Sequence, residues 1–168
     1  FYLKDSHQKK LSHINKLTEI NITSSLMMDR FTISNLEILQ SKNEGGKSLL
    51  EIIDRTKSAM GSRLLRRWLC FPSVDIKQIN KRYSIVEDLK ENYINNDDFI
   101  SEFKSIYDIE RIVSKIINFK TNPRELISLS NSLKSIDNIK RILKVSKNKN
   151  TISVQKKLIR GSSITKII

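Results

Sequence analysis

Asp54-Arg55-Thr56-Lys57-Ser58-Ala59-Met60-Gly61-Ser62-Arg63-Leu64-Leu65-Arg66-Arg67-Trp68-Leu69 is the stretch that decides the fold class. From Ala59 onward, Met60, Leu64, Leu65, Trp68 and Leu69 recur at three- and four-residue spacing and share one side of a helix, leaving Arg63, Arg66 and Arg67 largely on the other. Thr56 and Ser58 offer hydroxyls that can accept from the unpaired amides of the first turn. Pro72 forces Phe71 toward an extended conformation and ends the helix. Gly61 in its interior costs on the order of 1 kcal/mol against alanine, which predicts close approach of another backbone. Trp68 is expected as a core anchor whose indole N–H meets an acceptor at the edge.

The same periodicity extends outward in both directions. Downstream, Asp75 with Gln78 resembles a capping box, and Ile76, Ile79, Tyr83, Val86 and Leu89 give the helix it starts a buried stripe. After Asn95 and Asn96, Phe99, Phe103 and Ile106 mark another helix, and Asp108 restarts the pattern into Ile109, Ile112, Val113, Ile116 and Ile117. Asn122-Pro123-Arg124-Glu125 is the clearest start signal: Asn122 caps, Pro123 lacks a donor that would be unpaired anyway, and Glu125 reaches back to the cap amide. Leu126, Leu129, Leu133 and Ile136 carry that helix's core face. Asp137 is expected to start a further turn through Leu143, and Ser146 to Asn150 a polar loop before a last amphipathic stretch.

Upstream, Ser48 opens a short helix with Leu49, Leu50, Ile52 and Ile53 that stops near Arg55. Tyr2 to Ile14 reads as an exposed connecting helix. Glu19 to Met28 and Glu37 to Gln40 read as short strands, with Asp29 capping a helical turn through Leu36 between them and Asn43-Glu44-Gly45-Gly46 as a hairpin-like loop. The expected fold is therefore mainly α and multi-helical, with a small β element near the N-terminal side. Four glycines and two prolines in 168 residues leave few breakers, in keeping with this.

Length allows one domain, or one domain with the tail of its neighbour. Phe1 in place of Met, and an apolar end from Ile164 to Ile168, read as cut ends. No charged-then-apolar leader and no run of about eighteen apolar residues is present, so secretion and membrane spanning are not expected and a cytoplasmic location is. The single cysteine, Cys70, cannot form an internal disulfide, and His7 and His13 cannot hold a structural zinc without partners. The net charge of +13 admits two readings, a polyanionic partner or a solvated surface enriched in Lys by A- and T-rich codons. From Lys134 onward ten basic residues face one acid, Asp137, so the C-terminal third is the basic end.

Candidate chemistry is sparse. Gly45-Gly46-Lys47-Ser48 looks like the end of a phosphate-binding loop, but that loop needs a glycine five residues before its second one and position 41 is Ser; a tight turn before a helix is the preferred reading. The Ser and Thr residues have no His and Asp partners for nucleophile activation. Arg63, Arg66 and Arg67 have the forked donors that grip phosphate, yet Asp54, Asp108 and Glu110 are available as ion-pair partners on neighbouring helices, and bridging to them is preferred.

Met28-Asp29-Arg30 with Thr32, then Asn35-Leu36-Glu37, Gly45-Gly46, Ser48-Leu49-Leu50 and the Asp54 to Leu69 stretch together resemble the core domain of the MutS family of DNA mismatch-repair ATPases. The likeness continues through Pro72, Asp75, Ile79-Asn80, Val86-Glu87-Asp88-Leu89, Asp108-Ile109-Glu110-Arg111 and Asn122-Pro123-Arg124-Glu125-Leu126, running from about Leu26 to Leu143. It implies that residues 1–22 end a connector domain and that 23–168 begin the core, or lever, domain up to the clamp insertion. It also implies a two-subunit clamp on mismatched double-stranded DNA, a MutL-type repair partner, a nucleoid-associated bacterial setting, and ATP with Mg2+ bound elsewhere in a longer protein. No catalytic, cofactor or metal residue carries over. The residues matching the family are structural: Asp29, Arg30, Asn35, Leu36, Glu37, Asp54, Thr56, Gly61, Arg63, Leu65, Arg67, Trp68, Leu69, Pro72, Asp108, Arg111 and Pro123. A MutS relative serving recombination and a stand-alone basic helical module binding nucleic acid are the alternatives.

Overall fold

Short polar side chains placed to accept from free first-turn amides start each α-helix of the computed structural model, which describes residues 25–94, 96–158 and 161. In chain order the helices are α1 (Arg30–Asn35), α2 (Leu49–Ile53), α3 (Ala59–Cys70), α4 (Ile76–Asn92), α5 (Asp97–Lys104), α6 (Ile109–Ile117), α7 (Pro123–Ile142), a 3-10 turn (Leu143–Val145) and α8 (Lys149–Lys157). Their caps are Asp29, Ser48, Ser58, Asp75, Asn96, Asp108, Asn122 and Asn148. Each relieves one of the four amides a helix start leaves unpaired, and Asn148 two. Ser48 with Glu51 and Asn122 with Glu125 complete reciprocal capping boxes. The box expected at Asp75 is absent: its carboxylate takes the Lys77 amide at 2.9 Å, while Gln78 accepts from Arg82 at 3.1 Å. Ser58, not Thr56, caps α3.

Two helices end with a non-glycine residue in the left-handed region. Glu37 (φ 47°) and Phe119 (φ 54°) follow α1 and α6, and the next amides, of Ile38 and Lys120, reach back to Ile33 and Lys115 carbonyls. Glu37 holds this conformation through its carboxylate, which accepts from the Lys42 amide at 3.0 Å. That turn occupies the stretch expected as the second strand. Among the described residues no strand forms; the one extended pairing is an antiparallel bridge between Ser25 and Ser73. Most of the first expected strand, and the helix expected over Tyr2 to Ile14, lie outside the described residues.

The core sits in the C-terminal half. Tyr93, Phe99, Ile139 and Leu143 are buried together, with Leu89, Phe103 and Leu158 packed on them. Phe99 stacks tilted on Tyr93 at 5.3 Å between ring centroids and edge-on to Phe103 at 5.0 Å. The long α7 is the central rod, against which α5 and α6 pack, and α8 returns onto α4. It runs unbroken through Asp137, where a restart was expected. Its inward face includes Ser130, Ser132 and Ser135 beside Leu129 and Ile139, because small side chains let the α5–α6 junction approach. Ser132 is fully buried and its Oγ accepts from the Tyr107 amide at 2.9 Å while donating to the Ser128 carbonyl at 2.7 Å.

The stripe expected on α4 is only half inside: Ile76, Tyr83 and Val86 are exposed, Ile79 and Leu89 half-buried. The helix is rotated so that Ser84 and Asp88, one turn apart, meet the corner between α7 and α8. Ser146 Oγ donates to Asp88 at 2.8 Å, and Asn148 Nδ2 donates to Ser84 Oγ at 2.8 Å. Polar fastening replaces apolar burial at this contact.

Candidate functional site

Among the described residues, the one place where side chains tie the α1–α3 half to the α6–α7 half by ion pairs is the guanidinium of Arg63 on α3. Its two terminal nitrogens donate to both oxygens of Asp108, at 2.7 and 3.0 Å, and the second also reaches Glu110 at 2.6 Å. Asp108 is simultaneously the cap of α6, accepting from the Arg111 amide at 3.1 Å. One carboxylate therefore fixes both the start of α6 and its position against α3, a forked geometry that a lysine ammonium cannot copy. The Arg63 guanidinium, followed by the Arg111 amide, holds the Asp108 carboxyl below its ordinary range against the opposing effect of burial. Next to this link, Arg82 of α4 lies 3.9 Å over the Trp68 ring, joining α3 to α4 by a cation on an aromatic face.

The root of α3 is fastened separately. Asp54 ends α2, and its two oxygens accept from Ser62 Oγ at 2.6 Å and from Thr56 Oγ1 and amide at 2.6 and 3.0 Å. These bonds, Ser62 foremost, draw the Asp54 carboxyl below its usual range. Asp54 is thereby occupied within its own hairpin and is not the partner of Arg63, whereas Asp108 and Glu110 are. At Gly61 an added Cβ would meet Ser58 Oγ at 3.1 Å and Thr56 Cβ at 3.5 Å. The close neighbour there is the capping segment of the same helix rather than another helix's backbone, which corrects the expectation from sequence. Trp68 is corrected too. It is 40% exposed, and its indole N–H has no hydrogen-bond acceptor among the described residues.

The remaining signature residues build the frame around this link. Asp29 caps α1 at 2.6 Å from the Thr32 amide, Arg30 is its first residue, and Asn35 accepts from Lys42 Nζ at 2.6 Å. Leu36 is exposed, Leu65 and Leu69 are half-buried, and Arg67 lies exposed in the last turn of α3. The Pro72 carbonyl accepts from the Leu26 amide at 2.7 Å, and Pro123 is the first residue of α7. Gly45-Gly46 is a turn: Gly45 has φ +75°, and a Cβ on Gly46 would lie 2.2 Å from Ser41 Oγ. The five-residue α2 behind it is part of a hairpin, not of a phosphate cradle.

Sequence reasoning missed the Ser84, Asp88, Ser146 and Asn148 fastening. Its signal was present as a polar pair four residues apart in a helix read for its apolar stripe. Burial raises the Asp88 carboxyl, but hydrogen bonding from Thr151, Ser146 and Asn92 outweighs it and leaves the group below its ordinary value; of these, Thr151 Oγ1 is close without full hydrogen-bond geometry. Among the described residues there is no cluster of three metal-ligating side chains, and no helix is long and apolar enough to cross a membrane.

The family model described as MutS domain III matches residues 31–168. The chain belongs to the MutS domain III family. Relatives named DNA mismatch repair protein MutS include that of Phocaeicola vulgatus, 42% identical over 146 residues, covering 83% of this chain and 16% of the relative. That of Caldanaerobacter subterraneus subsp. tengcongensis is 41% identical over 144 residues, 84% of this chain and 17% of the relative. That of Cytophaga hutchinsonii is 37% identical over 143 residues, 85% and 17% respectively. This MutS domain III chain thus spans about one sixth of the length of those curated relatives. The family match includes every signature residue from Leu36 to Pro123 and the whole Arg63–Asp108–Glu110 link.

Proposed function

We propose that this chain is the mechanical core of a DNA mismatch-repair protein, in which helices α3, α6 and α7 carry a change of position between an ATPase and a DNA-gripping clamp. Residues 23–168 form the first part of that core and 1–22 the end of a connector. ATP, Mg2+, the second subunit of a homodimer and a MutL-type partner engage other parts of the longer cytoplasmic protein, and mismatched double-stranded DNA is its substrate. The observation that carries this reading is the forked Arg63–Asp108–Glu110 link inside a MutS domain III chain. Coupling between distant sites requires an element with few internal degrees of freedom, and double-ended caps together with a bidentate ion pair supply one.

The reading is tested at Leu65, half-buried on α3. Leu65→Glu in the full-length protein is expected to leave helical content intact and to reduce mismatch-stimulated nucleotide exchange on the order of tenfold, within the roughly 5–150-fold range of ordinary coupling. A folded Leu65→Glu protein with full stimulation contradicts the mechanical role.

A further inference from the structure

We propose that the cleft between α4, the start of α5 and the 3-10 turn is a binding site for an organic cation on an alkyl stem, a guanidinium or primary ammonium group whose head is received by Asp88, Asn92 and Tyr93. The cleft has a volume of about 550 Å³, and its walls include Ile142, Val145 and Ser146. Asp88 is the one charged side chain that is buried among the described residues, at 8% exposure. Its hydrogen-bond donors, Ser146 Oγ at 2.8 Å and Asn92 Nδ2 at 2.9 Å, are neutral, and it takes part in no ion pair among the described residues. Against the effect of burial, its neighbours Thr151, Ser146 and Asn92 keep the carboxyl ionised. A negative charge is thus held out of water without a counter-charge, a costly arrangement that an incoming cation relieves.

The cleft offers acceptors in excess. Each Asp88 oxygen accepts one of these bonds and keeps a second lone pair, while Asn92 spends its amide nitrogen on the Asp88 carboxylate and carbonyl, which leaves its Oδ1 available. Tyr93 is 7% exposed and lines the same cleft; its hydroxyl lies near Ser146 and Asp88 without full hydrogen-bond geometry to any described residue. An unmet hydroxyl beside a buried carboxylate suits a ligand whose charged head carries several N–H donors. Ile142 and the exposed Val145 give the alkyl stem an apolar wall.

The surroundings carry the matching charge. From Glu87 to Asp98 five acids face one base, Lys90, in a chain of net charge +13. Glu87, Glu91, Asp97 and Asp98 are exposed on α4 and α5, which border the cleft, and none forms an ion pair among the described residues. The one cation lining the cleft is Lys147, which is exposed and likewise unpaired among the described residues; Lys144 is exposed in the adjoining 3-10 turn. Lys147 opposes a bound cation and would assist a bound anion, so it distinguishes the two signs of ligand. This site stands apart from the lever reading, which rests on Arg63, Asp108 and Glu110.

The test is isothermal titration calorimetry of the whole chain with agmatine, spermidine and N-acetylarginine amide, which share the cationic chemistry and separate a free polyamine from an arginine side chain of a protein partner. Saturable one-to-one binding of at least one of them is expected, with Kd on the order of 1 mM or below. Asp88→Asn removes the charge and should weaken it on the order of tenfold, and Tyr93→Phe, which keeps the buried ring, should weaken it roughly threefold; circular dichroism checks that each variant is folded. Lys147→Gln should tighten binding roughly twofold, while Glu44→Gln removes an equal charge from an exposed loop and should leave it unchanged. Tighter binding of spermidine than of N-acetylarginine amide assigns the site to a free polyamine, and the reverse order assigns it to a protein side chain. Binding of none of the three, undiminished binding in a folded Asp88→Asn or Tyr93→Phe chain, or weaker binding in Lys147→Gln would overturn the proposal.

Discussion

Ile139→Ala is expected to lower the unfolding free energy of the chain by about 3 kcal/mol, within the range for deleting a buried aliphatic side chain and leaving a cavity. At this chain length that corresponds to a fall in melting temperature of roughly 6–12 °C by circular dichroism. Ile139 is 4% exposed on α7 and sits among Tyr93, Phe99 and Leu143, where it joins the α4 end, α5 and the 3-10 turn in one cluster. Removal of its branched side chain would add to the apolar cleft already present between Leu89, Phe103, Ile136 and Val154. Trp68→Ala removes a larger side chain but one that is 40% exposed, and should cost distinctly less. The reverse order would place the stabilising core around α3, contrary to the structure.

The second large effect is at Asp88. Asp88→Ala leaves the buried Ser146 hydroxyl and the Asn92 amide without the acceptor they reach at 2.8 and 2.9 Å, at a cost of about 2 kcal/mol near neutral pH. Its sign with pH follows from the direction of the shift. The folded carboxyl lies below its ordinary value, so the stability it contributes is fully present above the unfolded value near pH 3.9 and is lost as pH falls through the folded value. Urea denaturation at pH 7 should therefore separate Asp88→Ala from the parent chain clearly, and the separation should shrink as the pH is taken down below the unfolded value and through the folded one. A gap that widens in acid would mean that Asp88 is held neutral in the folded chain.

Helix starts were legible from sequence because capping is local: Asp29, Ser58, Asp108 and Asn122 act through amides two or three residues away, within reach of a short motif. The link of Arg63 to Asp108 and Glu110 was legible as a set of available partners, since an exposed guanidinium opposite an apolar stripe pairs with nearby acids. What escaped depends on helix rotation in three dimensions. An apolar stripe predicted the inside of α4 at Ile76, Tyr83 and Val86, but the polar pair Ser84 and Asp88 won the inner position because Ser146 and Asn148 were there to satisfy it. In the same way Ser132 reads as an outward residue until the Tyr107 amide is brought against it. Glu37 to Gln40 has strand-like composition, yet a left-handed turn closed by its own carboxylate takes precedence over a strand with nothing to pair with.

An unpartnered strand, a mid-helix glycine and a half-exposed tryptophan share one lesson. Each was assigned a long-range partner from its residue type, and in each a neighbour a few residues or one helix away satisfies it instead: Ser41 and Lys42 for Glu37, Ser58 for Gly61, Arg82 for Trp68. The one long-range pairing that residue type did foretell, Arg63 with Asp108 across 45 positions of sequence, is the one on which the mechanical reading rests.

That pairing is also the most direct place to test it. In the full-length protein, Arg63→Ala, Asp108→Asn and the double variant should each show the same reduction in mismatch-stimulated nucleotide exchange, on the order of tenfold, because once the link is cut a second cut removes nothing more. Losses that multiply in the double variant, or full stimulation in correctly folded single variants, would contradict a transmission path through α3 and α6.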